Sequence, residues 1–342
     1  MTVVLRATGA PPVTDVQPAT GAAQATGVRA NLASPRLRVW VRVAVGGGIL
    51  LALALALGAE PFLRGLASVS LPAVAAALVL AAVATTAAAW RWRVLAGRLG
   101  LTLGRREAMA AYYRSQFLNT ILPGGVVGDV HRAVAHGLDQ GRVAQASRAV
   151  AAERSAGQAV QLVLAAVVLA VLGMSAYAPA VGTALLVVVV ACAAIAVAAT
   201  TNRRARAAIR RELVALRQAF GTVRTVLAVV ALSIVVALCH VATFVVACIA
   251  VGVEASPGRL TAGALIVMLA GSIPLNLGGW GPREGVAAWA FTAAGFGAAT
   301  GVAASTAFGV LAMIAVLPGA LVVAASALRR RRFVVADGGE TS

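Results

Sequence analysis

Hydrophobic residues in this chain fall into long continuous blocks instead of alternating with polar ones. The first, "VWVRVAVGGGILLALALALGA", covers residues 39–59, and others cover about 71–90, 155–173, 181–200, 225–252 and 302–326. A continuous apolar block of about 18 residues or more is long enough to cross a bilayer core as a helix. The strands of a membrane barrel would alternate in polarity instead. The pattern predicts an all-α polytopic membrane protein of about eight transmembrane helices.

Two apolar stretches are broken. "FLNTILPGGVVGDVHRAVAHGL" (117–138) carries Pro123, Gly124, Gly125 and Gly128. "SIPLNLGGWGPREGVAAWAF" (272–291) carries Pro274, Gly278, Gly279 and Gly281. Such breaks predict two re-entrant elements made of half-helices. The segment 202–224 is rich in Arg with an apolar stripe at Ile209, Leu213, Leu216 and Phe220, which predicts an amphipathic helix on the membrane surface. Residues 1–34 have no periodicity and are rich in Ala, Thr, Pro and Gly, as expected of a disordered tail. The first apolar block begins too far along for a cleaved leader. The membrane domain should span 35–328, followed by a basic tail at 329–342. Trp90 and Trp92, at the end of the second block, suit an interfacial aromatic belt.

Composition agrees with the blocks. Among the 342 residues, 61% are hydrophobic and 12% charged, with a formal net charge of +18, and all 29 basic residues are arginine. The arginines sit between apolar blocks and form no stripe that would track a nucleic acid. They set orientation instead. The segments 1–42, 91–106, 202–224 and 329–332 hold 21 arginines, whereas the intervening loops hold only Arg64 and Arg259. Basic loops stay on the cytoplasmic side, so both termini and the 202–224 helix are expected there. The expected location is the cytoplasmic (inner) membrane of a bacterium. Cys192, Cys239 and Cys248 lie within apolar blocks, as small buried hydrophobes do.

Candidate chemistry gathers at the two breaks. Charge at membrane depth costs about 2.5–3.5 kcal/mol on insertion scales. Irregular backbone is tolerated there only against protein or a water-filled cavity. A broken helix also presents N–H groups and partial positive charge to an anion. Asp129 and Arg132 follow the first break one helical turn apart, and Arg283 and Glu284 follow the second. Paired Gly/Pro-broken segments in the two halves of a membrane chain point to a transport site. Arg132 and Arg283, with Arg154 as a third candidate, are therefore expected to face a hydrated cavity and grip phosphate through a bidentate fork. Glu153 and Arg154, with Gln158 one turn on, lie between the breaks; alone they would read as a snorkelling pair at the interface. His240, isolated in an apolar block, is expected in the core, and His131 and His136 stand beside the first break. No catalytic, cofactor or metal motif is present: the sequence has no HExxH, GxSxG, Walker or dinucleotide loop.

In order and spacing, "LNTILPGGVVGDVHRA", "AERSAGQ" and "IPLNLGGWGPREGVAAWAF" resemble the lysylphosphatidylglycerol synthase transmembrane-region family, also described as flippase-like. The likeness covers roughly residues 40–328. It maps the family's polar and Gly-rich elements onto Asn119, Pro123, Gly124, Gly128, Asp129, Arg132, Glu153, Arg154, Gly278, Gly279, Gly281, Arg283 and Glu284. Val127 stands where the family has the first Gly of its Gly-Gly-Asp step. The resemblance implies a membrane flippase-like lipid transporter. Its cargo would be an anionic or polar-headed lipid of the cell envelope, either aminoacylated phosphatidylglycerol or a polyprenyl-phosphate-linked sugar. The implied partners are an anionic phospholipid or polyprenyl-phosphate lipid and a glycosyltransferase or lipid-modifying enzyme. The soluble aminoacyl-transferase domain of full synthases has no room after Arg332, so no enzymatic activity is expected. The alternatives are a small-anion secondary transporter built on the same breaks and a non-transporting membrane partner of a glycosyltransferase.

Overall fold

The computed structural model describes residues 35–122, 125–173, 177–272 and 278–338. Met1–Trp40 and Val41–Ser342 form separate units, and in the first the described residues are the opening turns of one helix. The helices are α1 (Pro35–Leu57), α2 (Glu60–Ala67), α3 (Leu71–Arg98), α4 (Arg105–Ile121), α5 (Val127–Asp139), α6 (Val143–Val171) and α7 (Ala178–Thr201). They continue with α8 (Arg203–Ala219), α9 (Val223–Val251), α10 (Pro257–Gly271), α11 (Pro282–Ala293), α12 (Ala298–Ala315) and α13 (Leu317–Gly338). Among the described residues there is no strand. Six helical stretches are long and apolar enough to span a bilayer: Trp40–Leu57, Leu71–Arg98, Val143–Val171, Gly182–Thr201, Val223–Val251 and Ala298–Ser326.

The remaining membrane-length material is broken as expected. α4 and α5 form the first pair of half-helices, and the short α10 and α11 form the second. Pro123, Gly124 and Pro274 lie outside the described residues, as do the calls on 1–34. α8 forms where the arginine-rich stripe predicted it. Asn202 caps it, its side-chain oxygen accepting the backbone N–H of Arg204 at 2.9 Å. Leu213 and Leu216 on its apolar stripe are exposed.

The core is built from small residues and a few rings, as helix packing inside a bilayer demands when backbones must approach closely. One cluster joins α9, α10, α11 and α12 through Phe244, Leu265, Phe291, Phe308 and Leu311, among many alanines. A second joins α3, α4, α5, α6 and α9 through Trp92, Leu95, Tyr112, Ala133, Val150 and Val229. α7 is apolar on all sides, and none of its spanning stretch is buried, the pattern of a helix facing lipid.

Three expectations need correction here. α3 does not stop at Trp90 but continues to Arg98. This carries Trp92 and Arg91 into the protein: only Trp90 is exposed, with the Arg93 and Arg105 guanidiniums over its ring. Among the cysteines, Cys239 and Cys248 are buried but Cys192 is exposed on α7.

Candidate functional site

The first break is closed by its own side chains. Asn119, near the end of α4, donates from Nδ2 to Asp129 Oδ2 at 3.1 Å and accepts the Gly128 backbone N–H on Oδ1 at 2.7 Å. Ser115 Oγ donates to Asp129 Oδ1 at 2.9 Å. These bonds fold α5 back against α4. Gly128 is required for that approach, because a Cβ there would lie 2.0 Å from the Ser115 carbonyl oxygen. At the start of α5 the Gly128 N–H, one of the donors an anion would use, is thus already taken by the Asn119 side-chain oxygen.

Asp129 is the hinge of a larger network. It accepts Arg132 Nη2 on Oδ1 at 3.0 Å and pairs with Arg154 through Oδ2. Arg132 Nη2 also donates to Glu153 Oε2 at 3.1 Å. Glu153 is fully buried and accepts Arg91 Nε at 3.0 Å and the Tyr112 hydroxyl at 3.1 Å on Oε1, which also pairs with Arg91 Nη2. Arg91 in turn donates to Ser233 Oγ on α9 at 2.8 Å. Four helices of the first half and α9 are tied together by this one ionic cluster.

The second break has the same logic on a smaller scale. Glu284 accepts the Gly281 backbone N–H on Oε2 at 2.6 Å, capping α11, and accepts Arg283 Nη2 at 2.6 Å and Ser305 Oγ at 3.0 Å on Oε1. Gly278, Gly279 and Gly281 all have positive φ (58°, 89° and 108°), which side-chain-bearing residues rarely adopt. Gly278 packs onto the first break: a Cβ there would sit 2.3 Å from the Thr120 carbonyl oxygen of α4.

Between the two breaks lies a cavity of about 340 Å³. Arg91, Asp129, Arg154, Gln158, Gly279 and Arg283 are on its wall, together with Gln116, Gln161 and His240. Arg154 has the most exposed side chain of the three arginines on this wall, at 47% against 5% for Arg91 and 7% for Arg283. A family model for the lysylphosphatidylglycerol synthase TM region matches residues 39–335. The chain belongs to this family. No curated protein and no solved structure matches it.

Within this family member, the structure gathers most of the residues singled out by sequence. Asn119, Gly128, Asp129, Arg132, Glu153 and Arg154 meet in one cluster. Gly278, Gly279, Gly281, Arg283 and Glu284 meet in the other, and Pro123 and Gly124 lie outside the described residues. Their placement departs from expectation at Arg132. Its side chain is 1% exposed, clamped by two carboxylates and by the Trp92 and Tyr112 rings, each 4.4 Å from its guanidinium carbon. It stands behind the wall and not on it. Glu153 and Arg154, which alone would read as a snorkelling pair, part company: Glu153 goes to the core and Arg154 to the cavity. His240 lines the cavity and is not a core histidine, whereas His136 is buried against Glu107 Oε1 at 3.1 Å. His131 is exposed on α5. No group of residues suited to a metal occurs among the described residues.

Sequence reasoning missed Arg91, Tyr112, Ser115, Gln116 and Ser233. Arg91 carried no local signal, since its partner Glu153 lies 62 residues away. Tyr112, Ser115 and Gln116 did carry one: they lie on α4 one or two turns before Asn119 and share its face, as a polar face on a membrane half-helix should.

Proposed function

We propose that this chain is a lipid transporter of the bacterial cytoplasmic membrane, with both termini cytoplasmic. It would carry the phosphate-bearing headgroup of a lipid between leaflets while the tails remain in the bilayer. The observation that carries this reading is the shared cavity. Guanidiniums from three different helices (Arg91 on α3, Arg154 on α6 and Arg283 on α11) converge on a space bordered by both broken segments. Arginine is suited to this role because its planar fork matches phosphate oxygens and it stays charged when partly desolvated. Asp129 and Glu284 hold Arg154 and Arg283 in position and reduce the charge of the empty cavity.

The breaks support movement as well as binding. With the arginine-rich segments inside, α4–α5 would enter from the cytoplasm and α10–α11 from the opposite face. Two half-helix pairs entering from opposite faces and meeting at Gly278 and Thr120 form the kind of inverted element around which a central site can alternate its access. The family match covers the membrane region, and enzymatic activity is no part of this proposal.

The test is reconstitution in vesicles containing a fluorescent phosphatidylglycerol, with the outer-leaflet signal quenched at intervals. The wild-type protein should speed exchange between leaflets. Arg154→Ala and Arg154→Lys should both slow it, the lysine variant because an ammonium cannot form the fork. Equal exchange in empty vesicles and in vesicles with wild-type protein would refute transport of that lipid.

A further inference from the structure

The charge inventory of the cavity selects among headgroups. Resting on the transport reading above, we infer that the site takes a headgroup of net negative charge, a single phosphate bearing neutral hydroxyl groups, and rejects one that carries an amino-acid cation.

Four arginines, Arg91, Arg132, Arg154 and Arg283, meet three carboxylates, Asp129, Glu153 and Glu284. With His240 counted as neutral, one positive charge is left over. The break residues outside the described set, Pro123, Gly124 and Ile273 to Leu277, carry no charged side chain that would alter the balance. A single phosphate diester supplies the missing negative charge. A lysine ester of the same lipid carries two ammonium groups against one phosphate, and would bring a net positive charge to a site that is already positive.

The two usual ways of holding an ammonium are both taken up internally. Every carboxylate of the cluster is buried and engaged: Glu153 by Arg91, Arg132 and Tyr112, Asp129 by Arg132, Arg154, Ser115 and Asn119, and Glu284 by Arg283, Ser305 and the Gly281 N–H. Aromatic faces can also hold a cation. Here the Tyr112 ring faces Arg132, and the Trp280 and Phe308 rings face Arg283 at 5.2 and 5.1 Å. What the wall still offers is Arg154, half exposed and paired with Asp129, and the amides of Gln116, Gln158 and Gln161. An arginine fork suits phosphate. Carboxamides both donate to and accept from hydroxyls, as a glycerol or sugar headgroup requires.

The purified full chain in phosphatidylcholine nanodiscs is titrated with phosphatidylglycerol, lysylphosphatidylglycerol and inorganic phosphate, at one ionic strength. Folding of each variant is checked by its thermal unfolding. Phosphatidylglycerol is expected to bind at least about tenfold more tightly than the lysyl ester, since like charges brought together at a desolvated site are strongly penalised. Arg154→Gln should reduce phosphatidylglycerol binding and shrink that preference. Equal or tighter binding of the lysyl ester would overturn the inference while leaving a lipid transporter in place. Binding of inorganic phosphate but of neither lipid would keep the anion preference and overturn the lipid reading. Binding of none of the three would overturn both.

Discussion

Removal of Glu153 tests whether the ionic cluster, and not apolar packing alone, holds the first half of the molecule together. In Glu153→Ala, Arg91 keeps Ser233 Oγ at 2.8 Å, and Arg132 keeps Asp129 at 3.0 Å and its two aromatic faces. Both guanidiniums then stand near Arg154 with one carboxylate among the three. Breaking a buried pair by removing one partner typically costs about 3–5 kcal/mol, because the remaining charge is left desolvated. Arg91 borders the cavity and can draw on whatever water enters it, so the lower end, about 3 kcal/mol, is expected. That is roughly a hundredfold in the folding equilibrium. Glu153→Gln keeps the shape and one acceptor and should lose less.

The measurement is equilibrium unfolding in mixed micelles with increasing denaturing detergent, read by far-ultraviolet circular dichroism. Arg148→Ala is the control. Its fork to Glu212 is as well formed, at 2.8 and 2.9 Å, but its side chain is 32% exposed and that of Glu212 55%. Exposed pairs contribute about 0.2–1 kcal/mol. A double cycle of Arg91→Met with Glu153→Gln should show coupling, the two losses summing to more than the loss in the double variant. If Glu153→Ala costs no more than Arg148→Ala, the cluster is not a structural tie, and the account of Arg132 as a scaffold fails with it.

Three further outcomes are expected. Gly128→Ala drives a methyl group into the Ser115 backbone carbonyl, which cannot swing aside as a side chain could, and overpacking of this kind costs about 1–3 kcal/mol; Gly97→Ala, where a Cβ meets nothing within 4 Å, should not destabilise, and equal thermal stability of the two variants would contradict the α4–α5 contact. In a variant lacking Cys192, Cys239 and Cys248, an impermeant maleimide added outside cells should label a cysteine replacing Gly173 and not one replacing Arg210; labelling at 210 would reverse the orientation. On α8, the hydrogen bond from Arg148 holds the Glu212 carboxyl below the usual carboxylate range, so its small contribution is present above the unfolded value, about 4.3, and is lost as pH falls through the folded one. The protection of α8 against hydrogen exchange, corrected for the pH dependence of intrinsic exchange, should therefore fall on acidification in the wild type and change less in Arg148→Ala, and an identical corrected response in both would remove Glu212 from the account.

The spans were legible because bilayer thickness imposes a length that an uninterrupted apolar block either meets or fails to meet. The breaks were legible because Pro and clustered Gly cannot continue a helix in lipid without compensation. Asp129 and Arg132 were legible as a pair, since three residues on one helix is a local spacing. α8 was legible from the same local periodicity. Arg91 was not: next to Trp90 and Trp92 it has the composition of an interface belt, and only the continuation of α3 to Arg98 turns it inward. Trp92 was misread for the same reason, since an aromatic at an interface and an aromatic shielding a buried guanidinium have the same one-letter context.

Arg132 and Arg154 show why a role cannot be read from a motif's prominence. Arg132 stands directly after the first break, where phosphate seemed its natural partner, while Arg154 was the third phosphate candidate and, taken alone with Glu153, also resembled an interface pair. The two are placed differently because Glu153 and Arg154 are adjacent on α6 and so project about 100° apart. The position that turns Glu153 to the core turns Arg154 to the cavity. Once Glu153 is buried, its charge requires cations, and Arg91 from α3 and Arg132 from α5 are the ones within reach. Arg132 is thereby drawn behind the wall, and Asp129, shared between Arg132 and Arg154, couples the scaffold to the open fork. On the proposed reading, a headgroup that engaged Arg154 would compete with Asp129 for it and so loosen one of the two ion pairs that join α5 to α6, leaving Arg132 to Glu153. On the proposed transport reading, the residue that would grip the cargo is thus joined through one carboxylate to the broken helix that would have to move.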